Sequence, residues 1–404
     1  MSRMLVRSPT PGEVEVAADV ASKAFPSLTH EHWQQSFHTI AEMFGERFIL
    51  VVELDGRIVS SLLCCPAPIV VGQADVTHAS VGAVGTLPEL RRMGCSAAMM
   101  AECVKVLRDE GIHTSSLWPF SYEYYRKFGW EVGGETRAYR AKGSVFAEIG
   151  NAQNARAATP EDFEAISDCY HNFISNYNCS TRRTKDWWLK IARLPEDLKM
   201  IAEPGRGAVV HDSEGFVEGY AVYDIEAEED RRSIEVKEIV HSSAQVRREM
   251  LALIGSSDPE LEVTFTSASD DLFLHEIPNP RAVSVTVNPS FQFRITDPEG
   301  AMESLRTTEG VAGRFTLSIS DPVFKHGWEF GVEAAKGKVA LCKPDRSNLL
   351  DTDVQTLAKL YSGYLSPFDA WSMGTLRCHD LRPVVLACQV FASLRPYRSW
   401  LEPG

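Results

Sequence analysis

The chain has 404 residues, 44% hydrophobic, 24% charged and 9% aromatic, with a formal net charge of −14. That length exceeds what one hydrophobic core serves, so two or three domains are expected, and the apolar content excludes a disordered chain. The negative charge argues against a nucleic-acid partner, whose phosphates need a basic face, and suits a small cationic substrate such as a polyamine, an amino sugar or a lysine side chain. No apolar run reaches the roughly 18 residues that a membrane span needs, and residues 1–20 turn acidic before any long apolar stretch, so neither a membrane segment nor a signal peptide is expected. Nine cysteines without a C-x-x-C pair read as reduced thiols of a cytoplasmic protein. They and the eleven histidines do not cluster at ligand spacing, so no metal is expected.

In chain order, residues 11–25 carry helical apolar spacing after a Pro-Gly punctuation. Two strands follow at 47–56 and 57–72, joined by Asp55-Gly56, a strong hairpin signal. A third strand at 76–87 leads directly into a helix over 90–111 that stops at Gly111. A short strand at 113–120, a short helix at 121–129 and another strand after Trp130 complete a first domain, 1–145. The pattern loosens near 145 and resumes with a helix capped at Thr159. The second domain, 146–288, repeats the coarse order of the first without its arginine-bearing loop. Its acidic run from Asp224 to Asp230 reads as a solvated hairpin loop. From 289 to 404 the strands GRFTLSIS, WEFGVEAA and GKVALCK precede two helices, an α+β arrangement with a core of its own.

The segment that carries chemistry is Val84-Gly85-Thr86-Leu87-Pro88-Glu89-Leu90-Arg91-Arg92-Met93-Gly94-Cys95-Ser96. A strand ends, a turn brings two arginines and a glycine, and a helix begins. The first-turn N–H groups of a helix have no intrahelical acceptor, and the helix dipole adds partial positive charge, so this end is an anion site. Gly94 admits close approach of a phosphate, and Arg91 and Arg92 add charge-assisted hydrogen bonds. Thirty residues on lies Tyr124-Tyr125-Arg126-Lys127-Phe128-Gly129-Trp130.

Together, V-x-T-x-P on a strand, the R-R-x-G loop and the later Y-Y-x-x-F-G-aromatic segment resemble the acetyl-CoA site of the GNAT N-acetyltransferase superfamily. The resemblance implies an α/β (α+β) fold in which the strand at 80–87 splays from its neighbour near 115–119. Backbone groups of Val84 and Thr86 are then left for the pantetheine arm, and Arg91, Arg92, Gly94, Cys95 and Ser96 cradle the pyrophosphate. Ser96 stands where the superfamily usually has glycine or alanine. A second acetyltransferase-like domain without the loop and a last domain like a sterol carrier protein extend the resemblance to the enhanced intracellular survival (Eis) family of aminoglycoside N-acetyltransferases. Stretches that carry it include GYAVYDIE, VKEIVH, SISDPVFKHGWEF and the terminal VFASLRPYRSWLEPG.

That family resemblance implies acetyl-CoA as co-substrate, a cationic amine such as an aminoglycoside or polyamine as acceptor, and a homo-hexamer. It assigns the general acid to Tyr125, with Tyr124 expected to point elsewhere, and the base to the chain's own C-terminal carboxylate, here on Gly404. This chain runs about one residue past the usual end and lacks the usual terminal aromatic, so Glu402 is expected either as a direct base or as a contact for a cationic substrate. Phe25, Glu31 and Trp33 lie near positions that line the amine pocket. A protein lysine or a biosynthetic amine as acceptor, and a non-enzymatic carrier of an apolar ligand, are the competing readings.

Overall fold

The computed structural model describes residues 3–192, 205–213, 215–228, 231–391 and 394–402. Contacts gather them into two compact units: one runs to Gly133 and resumes at Phe291, the other takes Gly134–Ser290 and Leu394–Glu402. The first unit begins with β1 (Met4–Arg7), α1 (Val14–Ala24), α2 (His30–Phe44), β2 (Ile49–Leu54), β3 (Arg57–Pro66) and a small hairpin of β4 (Ile69–Val71) and β5 (Ala74–Val76). It continues with β6 (His78–Thr86), α3 (Cys95–Asp109), β7 (Thr114–Leu117), α4 (Tyr122–Arg126) and β8 (Glu131–Val132). The second unit holds β9 (Glu135–Lys142), α5 (Gly143–Ala147), β10 (Ala155–Ala157), α6 (Phe163–Ile174), β11 (Gly205–Ser213), β12 (Phe216–Glu228), β13 (Arg231–His241), α7 (Ala244–Ser257), β14 (Glu262–Ala268) and β15 (Ser284–Pro289). The chain returns to the first with β16 (Gln292–Ile295), α8 (Pro298–Ser304), β17 (Gly313–Ser320), β18 (Trp328–Ala335), β19 (Lys338–Cys342), β20 (Leu349–Asp353), α9 (Val354–Ser362), α10 (Pro367–Ser372) and α11 (Arg382–Val390).

The sheet of the first unit has the order β1-β2-β3-β6-β7-β16-β8. Asp55 and Gly56 turn β2 into β3 with φ of +52° and +84°, the mirror-image turn that the Asp-Gly pair favours. The strand expected to run to residue 72 stops at Pro66, and Ile69–Val71 forms its own hairpin instead. Buried Ala17, Ala18 and Ala21 let α1 lie close on the sheet, where the Ser61 hydroxyl donates to the Ala17 carbonyl at 2.8 Å. Met99, Met100, Cys103, Val104 and Leu107, at helical spacing, form the buried face of α3.

The strands that follow β8 and β15 are exchanged. β16 lies between β7 and β8 in the first sheet, and β9 lies between β14 and β15 in the second, whose order is β10-β11-β12-β13-β14-β9-β15. The expected boundaries at 145 and 288 therefore shift to Gly133/Gly134 and Ser290/Phe291. The alternating residues of β9 suit a place in either sheet. Only the pairing of Glu262 with Lys142, through to Ala268 with Thr136, settles which one they join.

The last domain does not keep a separate core. Its β17–β20 form a four-stranded sheet in the order β19-β18-β17-β20. Yet the Phe293 ring on β16 stacks on Tyr361 of α9 with centroids 6.4 Å apart, and fully buried Arg294 pairs with Asp321 at 2.6 Å. Both place the last domain against the first sheet, inside one unit. The acidic run also differs from expectation: Asp224–Glu228 belong to β12, paired with β13, and the run's last two residues lie outside the described residues. Buried Tyr223 and Ile225 on either side of Asp224 show the period of two that the acids had concealed.

Candidate active site

β6 is shaped by two departures from a regular strand. Against β3 its register slips, Ser61 pairing with Gly85 and Leu63 with Gly82, so one extra residue bulges from β6. Ala83 takes that place with φ of +53°, and a bulge of this kind re-aims the strand beyond it. On its other edge β6 pairs with β7 only from His78 to Ser80, opposite Thr114 to Ser116. From Val81 to Thr86 no described strand continues the sheet on that side, which is the splay expected of residues 80–87.

The loop after β6 makes a short 3-10 turn, Pro88–Leu90, and then passes through two left-handed residues, Arg92 (φ +66°) and Gly94 (φ +86°), before α3 begins at Cys95. The helix was expected from residue 90; the left-handed pair is what delays it. A Cβ on Gly94 would meet nothing within 4 Å, so glycine is needed there for its φ and not for space. Among the described residues no side chain caps α3, which leaves its first-turn N–H groups for another acceptor. Arg91 and Arg92 are exposed beside them, Arg91 donating to the Ala24 carbonyl at 3.3 Å.

These elements enclose a cleft of about 550 Å³. Val84, Gly85 and Thr86 line one side; Leu90, Arg91, Arg92, Gly94, Cys95, Ser96 and Ala97 line the helix end; Ala24, Phe25, Phe120 and Tyr124 complete it. All seven residues expected to hold the cofactor thus meet in one cavity, although the Cys95 side chain is buried behind it. Phe25 lines the cleft, and Trp33 stands behind it, ring centroids 5.4 Å apart, with its indole N–H donating to the Phe25 carbonyl at 3.4 Å. Glu31 sits exposed in the first turn of α2 and does not line the cleft.

Two of the three tyrosines of α4, Tyr124 and Tyr125, fall otherwise than expected. Tyr124 lines the cleft, and its hydroxyl lies 2.6 Å from the Ser96 hydroxyl. Tyr125 is only 3% exposed, and its ring meets Tyr124 edge-on at 5.1 Å. Burial, with Tyr124 as a lesser cause, pushes the Tyr125 phenol well above the ordinary tyrosine range. The segment is braced by the exchanged strand, where Gln292 donates to the carbonyls of Tyr122 (3.2 Å) and Trp130 (3.4 Å). Sequence reasoning missed Tyr124 and Phe120 as lining residues; the unusual serine at 96, with a tyrosine to pair with it, was the available signal.

Glu402 requires a correction. Its carboxylate is buried in the second unit, accepting from Arg183 (2.8 Å) and the Tyr170 hydroxyl (3.0 Å), with Thr181 also donating and Arg398 3.4 Å away. Burial alone would raise this carboxyl, but the charges of Arg183 and Arg398 hold it below the usual range. Arg183 in turn forks onto Glu238 at 2.8 and 2.6 Å and lies over the rings of Tyr170, Trp188 and Trp187. A carboxylate so engaged is neither a free base nor a surface contact for a substrate. Gly404, expected to carry the base, lies outside the described residues. All nine cysteines are free thiols, and no cluster that would hold a metal occurs among the described residues.

A splayed parallel pair, a bulge bordering the gap and an uncapped helix end behind a two-arginine loop define the acyltransferase cleft of the GNAT class. The comparisons agree. Acetyltransferase (GNAT) domain models match residues 5–133 and 179–295, and a sterol carrier protein domain model matches residues 287–399. The chain belongs to the GNAT N-acetyltransferases, with two such domains followed by a sterol carrier protein domain. It is 25% identical over 349 residues to an uncharacterized N-acetyltransferase of Streptomyces avermitilis, across 80% of each chain. A probable N-acyltransferase of Enterococcus faecalis V583 shares its fold with a TM-score of 0.85 at 22% identity, over 99% of each chain. Eis1 from Mycobacterium abscessus does so with a TM-score of 0.73 at 19% identity, over 100% of each.

Proposed function

We propose that this acetyltransferase moves an acetyl group from acetyl-CoA to a primary amine of a small cationic molecule, an aminoglycoside or another polyamine. The observation that carries the reading is the gap beside Val84–Thr86 ending on the uncapped first turn of α3. In it the pantetheine arm would pair with the free edge of β6, and the pyrophosphate would take the N–H groups at Gly94–Ser96 with Arg91 and Arg92 around it. Phe25, backed by Trp33, offers an apolar wall.

The reaction needs a neutral amine, its attack on the thioester carbonyl, and a proton for the departing thiolate. Tyr125, whose buried ring packs edge-on against the cleft-lining Tyr124, is our candidate for that acid on the strength of the family resemblance. A free phenol has a pKa of ~10 and a thiol of ~8.5, so the tyrosine is protonated when the thiolate leaves, and burial extends its protonated range upward. The C-terminal carboxylate of Gly404 remains our proposal for the group that takes the amine's proton.

Release of CoA thiol with acetyl-CoA against aminoglycosides, polyamines and lysine peptides tests the acceptor. Turnover with lysine peptides alone would replace the small-molecule reading. With an active amine, Tyr125→Phe is expected to lower kcat by about 10²-fold or more; near-normal turnover would remove the tyrosine from the mechanism. Stabilisation by millimolar acetyl-CoA in a thermal melt checks the donor; no shift would favour a carrier of apolar ligands.

A further inference from the structure

The geometry points to Tyr124 as a positioning residue for the cofactor, acting through the Ser96 hydroxyl; this rests on the acetyl-CoA reading above. Ser96 stands in the first turn of α3, and its Oγ lies 2.6 Å from the Tyr124 hydroxyl, both residues lining the same cleft. A serine in a first helical turn ordinarily bonds locally to its own backbone. Here it is held by a residue of α4, so the anion-binding end of one helix is tied to the segment that carries Tyr125.

The phenol is well fixed. Its ring meets those of Phe120, Tyr125 and Phe128 with centroids 5.5, 5.1 and 5.5 Å away. Burial raises its pKa and outweighs the lowering by Ser96, so it stays a neutral O–H. With Tyr124 donating to Ser96 Oγ, the Ser96 O–H is left to donate to an anion seated at the helix end, beside that residue's own N–H. Chained hydrogen bonds of this kind strengthen one another. A glycine or alanine at 96 offers the N–H alone.

The test is the dissociation constant of acetyl-CoA by calorimetry on the full-length protein, with the ligand-free melting temperature read separately. Tyr124→Phe keeps the ring and Ser96→Ala keeps the helix; each is expected to weaken binding about three- to tenfold. The double variant is expected to bind no more weakly than either single one, because both remove the same bond. Ser96→Thr, which restores a hydroxyl, is expected to recover most of the affinity lost in Ser96→Ala. Unchanged affinity in the single variants, with or without a lower melting temperature, would overturn the proposal, as would additive losses in the double. A wild-type protein that binds no acetyl-CoA would instead overturn the acetyl-CoA reading and this inference with it.

Discussion

The two strand-to-helix junctions, β6 to α3 and β13 to α7, begin alike and end differently. β6 leaves β7 after Ser80, and β13 leaves β14 after Val236, so each sheet opens between its central parallel strands. In the first unit residues 87–94 separate strand from helix, and no side chain among the described residues caps α3. In the second only Ser242 and Ser243 intervene, and the Ser243 hydroxyl accepts from the Val246 N–H of α7. Beside the end of β13, Phe173 packs on His241 and on Tyr397 of the C-terminal segment, with Tyr177 against Phe173 and Tyr397. Where the first unit leaves a cleft, the second gathers the chain's own rings beside the end of β13. The difference lies at the helix end, which follows an open loop without a side-chain cap in one unit and takes a serine of the chain itself in the other.

The largest effect is expected where the packed unit holds the C-terminal segment. Arg183→Met would leave Glu238 buried without its cation and Glu402 with only the longer contact to Arg398, at a cost of about 3–5 kcal/mol; chemical denaturation should show it, and a loss under 1 kcal/mol would mean that the cluster does not hold the segment. Next, the open unit should depend on its arginines. Replacing Arg91 and Arg92 together by alanine is expected to weaken acetyl-CoA about ten- to a hundredfold without lowering stability, since both are exposed. Equal affinity would sever the loop from the anion.

The packed unit should also be sensitive to acid. Burial, with the charge of Arg247, lowers the His241 pKa to about 4, against a partial opposing pull from Asp271. Both folded and unfolded forms are neutral above the ordinary histidine pKa of about 6.5, so the stabilisation is complete there. As pH falls from about 6.5 towards 4 the unfolded chain takes the proton first, and up to about 3 kcal/mol is lost. Melting temperatures between pH 7 and 4 should fall less steeply for His241→Asn; equal slopes would locate the acid sensitivity elsewhere. The smallest change is Ser243→Ala, expected to cost about 1 kcal/mol as a lost helix cap. It should leave acetyl-CoA binding as it was, and an altered affinity would mean that the two junctions are not independent.

Much of the cleft was legible before any fold. Residues 84–96 announce a strand, an arginine turn and a helix start through local chemistry, and Asp55-Gly56 fixes its hairpin by the φ those residues tolerate. The pairing of that loop with the Tyr124-Tyr125 segment was legible only by resemblance, because nothing local links residues thirty apart. Which tyrosine faces the cleft was not legible: in so short a helix, orientation follows from the neighbours Phe120, Phe128 and Ser96 and not from spacing.

By itself, then, the sequence determined the strand, arginine turn and helix start at 84–96, most of the strands and helices, and the three-part order of the chain, because propensity, turn chemistry and capping act over a few residues. Only the tertiary structure decided that β9 and β16 cross over, since an alternating strand carries no address for the sheet it joins. It alone decided that Glu402, a free acid by sequence, is an ion-paired and buried one, because its partners Arg183 and Thr181 lie more than two hundred residues away along the chain. Burial and pairing are set by such distant neighbours, and they change what a carboxylate can do.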